Sequence, residues 1–226
     1  MGKKKYHHQD LRSKLVSTAS RILEEEGLDS LTMRHLSKTI GVSRSASYRH
    51  FTDKTALLGA VAAAGFDRLR ELLEESSREI SKSLELFRAC SCAYVRFAVT
   101  RQTLYNLMFG FELNSGAPVP ELSDAAAEAF SVITGIIEKC QAEGSFRSSD
   151  PVELANVTWS SLHGLSMLLI DGAVRMTRDG RLLHALMADA DVIQVEYIPA
   201  ISNSVVETLV RGFSPDCETL KTSPAS

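Results

Sequence analysis

The chain has 226 residues, 44% of them hydrophobic and 23% charged, which suits one large or two small globular domains with a real core. It contains no apolar run of about 18 residues, which excludes a membrane-spanning helix, and its basic start, MGKKKYHHQD, lacks the apolar stretch of a secretory signal. The net charge of −3 is unevenly split: residues 1–54 carry eleven Lys/Arg and six Asp/Glu, the remainder 14 and 22, so a basic head that suits a polyanion precedes an acidic body.

The periodicity is helical from the start. Leu11, Leu15, Ala19 and Ile22 share one face of a first helix. It runs into Glu24, Glu25 and Glu26, a solvated acidic end, and Gly27 is suited to a left-handed cap. In SLTMRHLSKTIG, Thr32 is an N-cap for a short second helix. Leu31 and Leu36 staple its entry, and Gly41 ends it. Ser43 caps a third helix over 43–50, Phe51 closes the small core, and Asp53 caps a fourth helix over 54–79. Three short helices with a tight glycine turn between the second and third read as a helix-turn-helix.

Further helices are predicted near 82–100, 101–109, 122–144, 150–172 and 191–212, with NSGAPVPEL (114–122) as a loop. Asp150 and Pro151 mark one start clearly, as N-cap and first helical residue. Residues 173–190 read as a loop with one short helix, the tail after 213 as disordered, and no β-alternation stands out. Pro199 is expected to kink or interrupt the last helix. The fold class is all-α: a three-helix helix-turn-helix head over 1–56 and a helical bundle over 57–226, sharing the fourth helix.

The third helix is built to enter a groove. The major groove of DNA is about 12 Å wide and admits one slim helix. Ser45, Ala46 and Ser47 are small, Arg44 is the one long donor at the tip, and Ala46 suits a thymine methyl. Tyr48, His50 and Lys54 lie further along, where donors meet phosphates. Helix-turn-helix shapes also occur in enzymes, so the shape alone leaves both readings open.

The run ILEEEGLDSLTMRHLSKTIGVSRSASYRHFTDKTALL closely resembles the N-terminal domain of the TetR family of bacterial transcriptional regulators. The resemblance implies an all-α homodimer of about nine to ten helices, whose C-terminal part binds a small hydrophobic or amphipathic effector that releases the operator. It matches Thr32 and Arg34 to the start of the family's second helix, Arg44, Ser45 and Ala46 to base-facing positions, and Tyr48, His50 and Lys54 to phosphate contacts. Ser43 joins them as the cap of the recognition helix, and Arg49 falls where the family varies. Ser47 departs from the pattern, where many members carry Leu, Val or Pro, and is expected to weaken packing slightly. Trp159, His163 and Gly164, with TLYNLMFG upstream, resemble a subgroup marked by a Trp-x3-His-Gly signature.

For the effector, Phe87, Tyr94, Tyr105, Met108, Phe109, Phe130, Trp159, His163 and Met167 are the candidate lining, each with plain core packing as the competing reading. For the dimer, the candidates are Ser161, Gly164, Val195, Ile201, Val205 and Leu209 on the last two long helices. Lys3, Lys4 and Lys5 are either a solvated tail or an arm along a phosphate backbone. Cys90, Cys92, Cys140 and Cys217 have no paired CxxC spacing and no histidine at zinc-finger distance. No metal, cofactor or membrane is therefore expected, and the expected location is the cytoplasm. No HExxH, Ser-His-Asp order or Gly-rich phosphate loop supports an all-α enzyme. A ligand-responsive regulator is the leading reading, with an all-α interaction module or enzyme as the alternative.

Overall fold

The computed structural model of the chain describes residues 3–110, 119–176, 182–184 and 198–215, with side chains for 11–110, 119–174, 200 and 202–215. Among the described residues there are nine α-helices. They are α1 (Lys3–Glu26), α2 (Met33–Ile40), α3 (Arg44–Tyr48), α4 (Lys54–Ser77), α5 (Ser83–Thr100), α6 (Gln102–Phe109), α7 (Pro120–Ala142), α8 (Pro151–Ile170) and α9 (Ile198–Phe213). Two short strands, β1 (Val174–Met176) and β2 (Leu182–His184), pair antiparallel with Arg175 opposite Leu183. Over 174–176 and 182–184 that ladder replaces the expected loop, and the rest of 177–190, where a short helix is expected, lies outside the described residues. Asp179-Gly180 lies between the strands in sequence, a strong hairpin signal when flanked by alternating apolar residues. No described helix is long and apolar enough to cross a membrane.

The chain divides into two compact units, residues 1–68 with 101–129, and residues 69–100 with 130–226. In the first, Leu15, Ala19, Ile22 and Leu23 bury one face of α1, and Gly27 ends that helix at φ 85°. Leu31, Leu36, Phe51 and Leu57 complete the little core. α6 packs on α1, and Arg101 at its cap pairs with Glu24. Gly65 in α4 lets α6 come close: a Cβ there would stand 2.7 Å from Met108 Sδ and 3.1 Å from Leu104 Cδ1.

In the second unit α5 packs against α8 and α9. Phe87, Phe146 and Phe213 form an edge-to-face trio, with centroids 5.1 Å apart for Phe87–Phe146 and 5.3 Å for Phe146–Phe213. Arg88 grips Glu207 with both arms, at 2.6 and 3.0 Å, tying α5 to α9. The Ser83 hydroxyl donates to Glu143 at 2.6 Å, and Arg147 bonds the Gly212 and Phe213 carbonyls at the end of α9. The described part of the last helix begins at Ile198 and includes Pro199; residues 191–197 lie outside the described residues.

Candidate nucleic-acid interface

Each helix start near the turn is capped by a local side chain. Thr32 Oγ1 accepts from His35 N at 3.1 Å, Ser43 Oγ from Ala46 N at 3.2 Å, and Asp53 Oδ1 from Ala56 N at 2.8 Å. Gly41 takes φ 78° and ψ 32°, and Val42 N reaches back to the Ser37 carbonyl at 3.0 Å, which reverses the chain in one residue. The open space around Gly41 shows that its backbone angle, not crowding, demands glycine. α3 stops at Tyr48, earlier than the expected 50, because His50 N and Phe51 N both bond the Ser47 carbonyl and Phe51 must turn inward to be buried.

Thr32, Arg34, Ser43, Arg44, Ser45, Tyr48 and Arg49 are exposed, and Ala46, His50 and Lys54 are half-buried. Arg34, Arg44 and Arg49 meet no carboxylate among the described residues, whereas Arg12, Arg21, Arg70, Arg88 and Arg101 each do. Tyr48 is 50% exposed. Ser45 Oγ lies 3.0 Å from Ser43 Oγ, so its hydroxyl is oriented by the cap. Lys54 differs from a free phosphate donor. Its ammonium bonds the Leu28 carbonyl at 3.2 Å, pinning the start of α4 to the α1–α2 turn and leaving two N–H groups. Lys38, exposed at i+4 from Arg34, extends the same stripe. Its i+4 spacing from Arg34 is the signal in the sequence that marks it.

The nine candidate pocket residues occupy several environments. Tyr105, Met108 and Phe109 belong to the first unit, with the Phe109 ring 5.2 Å from Phe66 and 4.8 Å from Tyr105. Tyr105 and Met108 are buried. In the second unit Phe87 is consumed by the aromatic trio, Tyr94 is buried and Phe130 is half-buried. Trp159 is not core: it stands 38% exposed on α8, tilted over His163 at a centroid distance of 5.7 Å. Partial burial holds the His163 imidazole below its ordinary pKa. Met167 is half-buried on the same helix.

A groove of about 290 Å³ in the first unit lies elsewhere, lined by Leu23, Leu28, Gln102, Thr103, Asn106, Leu107 and Gly110. None of the nine residues lines it, and no local pattern marked it, since it arises where α1 and α6 meet.

Of the dimer candidates, Ser161 and Gly164 are half-buried on α8, and a Cβ at Gly164 would meet open space. Leu209 points inward and is buried, while Val205 is half-buried. Val195 and the side chain of Ile201 lie outside the described residues. Cys90 and Cys140 are buried thiols, and burial pushes Cys90 up to about 11, which keeps it protonated and inert. Among the described residues no cluster of three His, Cys, Asp or Glu could hold a metal ion.

A family model described as "Bacterial regulatory proteins, tetR family" matches residues 15–61, and one described as "Tetracyclin repressor-like, C-terminal domain" matches residues 87–190. The chain is similar to the HTH-type transcriptional repressor AcnR of Corynebacterium diphtheriae, 35% identical over 65 residues. That match covers 29% of this chain and spans about a third, 34%, of the repressor's length. A solved structure of a protein of unknown function from Rhodococcus sp. RHA1 is 30% identical, with a TM-score of 0.72, covering 90% of this chain and 95% of that one. A TetR-family transcriptional regulator from Pectobacterium atrosepticum shares the fold at a TM-score of 0.69 and 23% identity, covering 93% and 97%.

Proposed function

The chain belongs to the TetR family of bacterial transcriptional regulators and is not an enzyme, and from that premise we propose that it is a repressor that binds a near-palindromic operator as a homodimer and leaves it when a small effector binds. The observation that carries this reading is the trio Arg34, Arg44 and Arg49 on a helix-turn-helix whose helix starts are capped, all three exposed and meeting no carboxylate among the described residues. An arginine held beside a carboxylate has its charge already spent; these three are open to a polyanion.

Arg44 is assigned the base edges, where its planar fork suits guanine O6 and N7, with Ser45 and Ala46 beside it. Thr32, Arg34, Ser43, Tyr48, Arg49, His50 and Lys54 are assigned phosphate and backbone contacts, which set register. The head is taken as residues 1–56 and the effector and dimer part as 57–226, acting in the cytoplasm.

The dimer is supported by α8. Val152, Val157, Trp159 and Leu168 are large apolar side chains 46%, 43%, 38% and 46% exposed. Val157, Ser161, Gly164 and Leu168 repeat at spacings of four, three and four, the seam of two helices that pack along their length. The Ser161 hydroxyl is spent on the Val157 carbonyl, so the seam is dry and small enough for close approach. A two-fold pairing along it brings two recognition helices to one DNA face and requires paired half-sites. Among the candidate pocket residues, Phe109 in the first unit and Phe130 in the second are half-buried, while Phe87, Tyr94, Tyr105 and Met108 are buried. The effector selects a dimer geometry in which the recognition helices no longer reach successive major grooves.

In vitro selection from random duplexes tests the proposal. A recovered near-palindrome, bound in a salt-sensitive way, supports it. Recovery of no preferred sequence sinks it.

A further inference from the structure

A hydroxyl pair is buried behind the recognition helix. Ser37 of α2 and Ser47 of α3 are 2% and 0% exposed, with their oxygens 2.8 Å apart. Ser37 Oγ also lies 2.7 Å from the Met33 carbonyl. A carbonyl only accepts, so the single Ser37 proton goes to Met33, and the proton between the two serines must come from Ser47. The relay therefore has one direction, Ser47 to Ser37 to the Met33 carbonyl. Ser76, Ser161 and Ser166 satisfy themselves on the carbonyl four residues back; among the described residues the Ser47 hydroxyl has Ser37 alone.

We propose that this pair is the positioning contact of the recognition helix, fixing the distance and roll of α3 on α2 and so where Arg44 and Ser45 meet base edges. Hydrogen bonds weaken steeply with angle, whereas apolar contact has no direction. A hydroxyl pair thus constrains rotation where an apolar side chain would constrain only separation. Ser47 is not a loss of packing on this view but one half of a specific bond. The inference rests on the operator-binding reading.

The test compares wild type, Ser37→Ala, Ser47→Ala and the double variant. Each is measured against the selected operator and a scrambled duplex, well below every melting transition. Ser37→Ala strands a buried proton and should lower Tm by about 4 °C. Ser47→Ala leaves Ser37 bonded to Met33 and should lower it by about half as much. The double variant should lose no more than Ser37→Ala alone, the non-additivity of a shared bond.

The ratio of operator to scrambled affinity should fall about tenfold in Ser37→Ala with scrambled binding unchanged, a loss that destabilisation alone does not produce. If Ser37→Ala does not fold, Ser47→Ala, which orphans no donor, carries the comparison. Additive melting losses, or an unchanged ratio in the folded variants, would overturn the proposal. A wild type that selects no operator refutes the operator-binding reading and the positioning role with it, while non-additive melting still marks the bond itself.

Discussion

Arg44 and Arg88 carry the same side chain in opposite circumstances. Arg88 lies between α5 and α9 with both arms on Glu207, a bond that raises its own pKa and holds the carboxylate below its ordinary value. Arg44 stands at the tip of a five-residue helix and meets no carboxylate among the described residues. The second unit uses its charge and its aromatic rings to hold itself together. The recognition face stays folded through caps and a buried hydroxyl pair, so its arginines remain uncommitted. Stability and binding are thus drawn from different residues, and substitutions should separate them.

The largest effect should come from Phe87→Ala, which removes a fully buried ring from the aromatic trio. It should cost about 3–5 kcal/mol and lower Tm by about 10 °C, while the folded fraction keeps its operator preference. A change in preferred bases would show that the two regions are not separable. Leu168→Glu comes next. It replaces an exposed leucine, so the monomer should keep its helix content, but it sets like charges against each other across a two-fold seam. Sedimentation should show monomers, and operator affinity should fall at least about tenfold because each half-site then binds alone. A dimer that persists unchanged would place the seam elsewhere.

Smaller effects sharpen the contrast. Glu207 titrates lower when folded, so its pair with Arg88 stabilises fully above the ordinary carboxylate pKa and is lost as pH falls through the depressed value. The pair is half-exposed, 35% and 39%, which limits its worth to under about 1 kcal/mol. As pH falls from neutral past the ordinary carboxylate pKa of about 4.3 and on through the depressed value, Glu207→Gln should therefore lose less stability than wild type, as read by urea melts. His163 gives the smallest signal. Its folded pKa is depressed, so the fold favours neutral imidazole, and stability declines as pH drops below the ordinary histidine pKa. Trp159 is the sole tryptophan and lies against His163, so its fluorescence should be quenched with a midpoint below 6.5, and His163→Asn should abolish that step.

How far these features could be read from sequence follows the same divide. The caps at Thr32, Ser43, Asp53 and Asp150, the left-handed Gly27 and the helix end at Gly41 are legible because each depends on neighbours within a few residues. Trp159 was placed in the core or a pocket because helical spacing marks an apolar face without saying what covers it; a single chain leaves that face bare. Ser47 looked like weak packing because its partner lies ten residues away on another helix. The α1–α6 contact and its groove needed residues about 80 apart to meet, which no local pattern encodes.

The most direct measurement is in vitro selection repeated with Arg44→Ala beside wild type, at one fixed salt concentration. Wild type should recover paired, inverted half-sites. Arg44→Ala should relax the preference at one symmetric base pair in each half, by about 1–3 kcal/mol, while its Tm stays within about 1 °C of wild type. An identical preference from both proteins, or no preference from either, would contradict the assignment of α3 to the major groove.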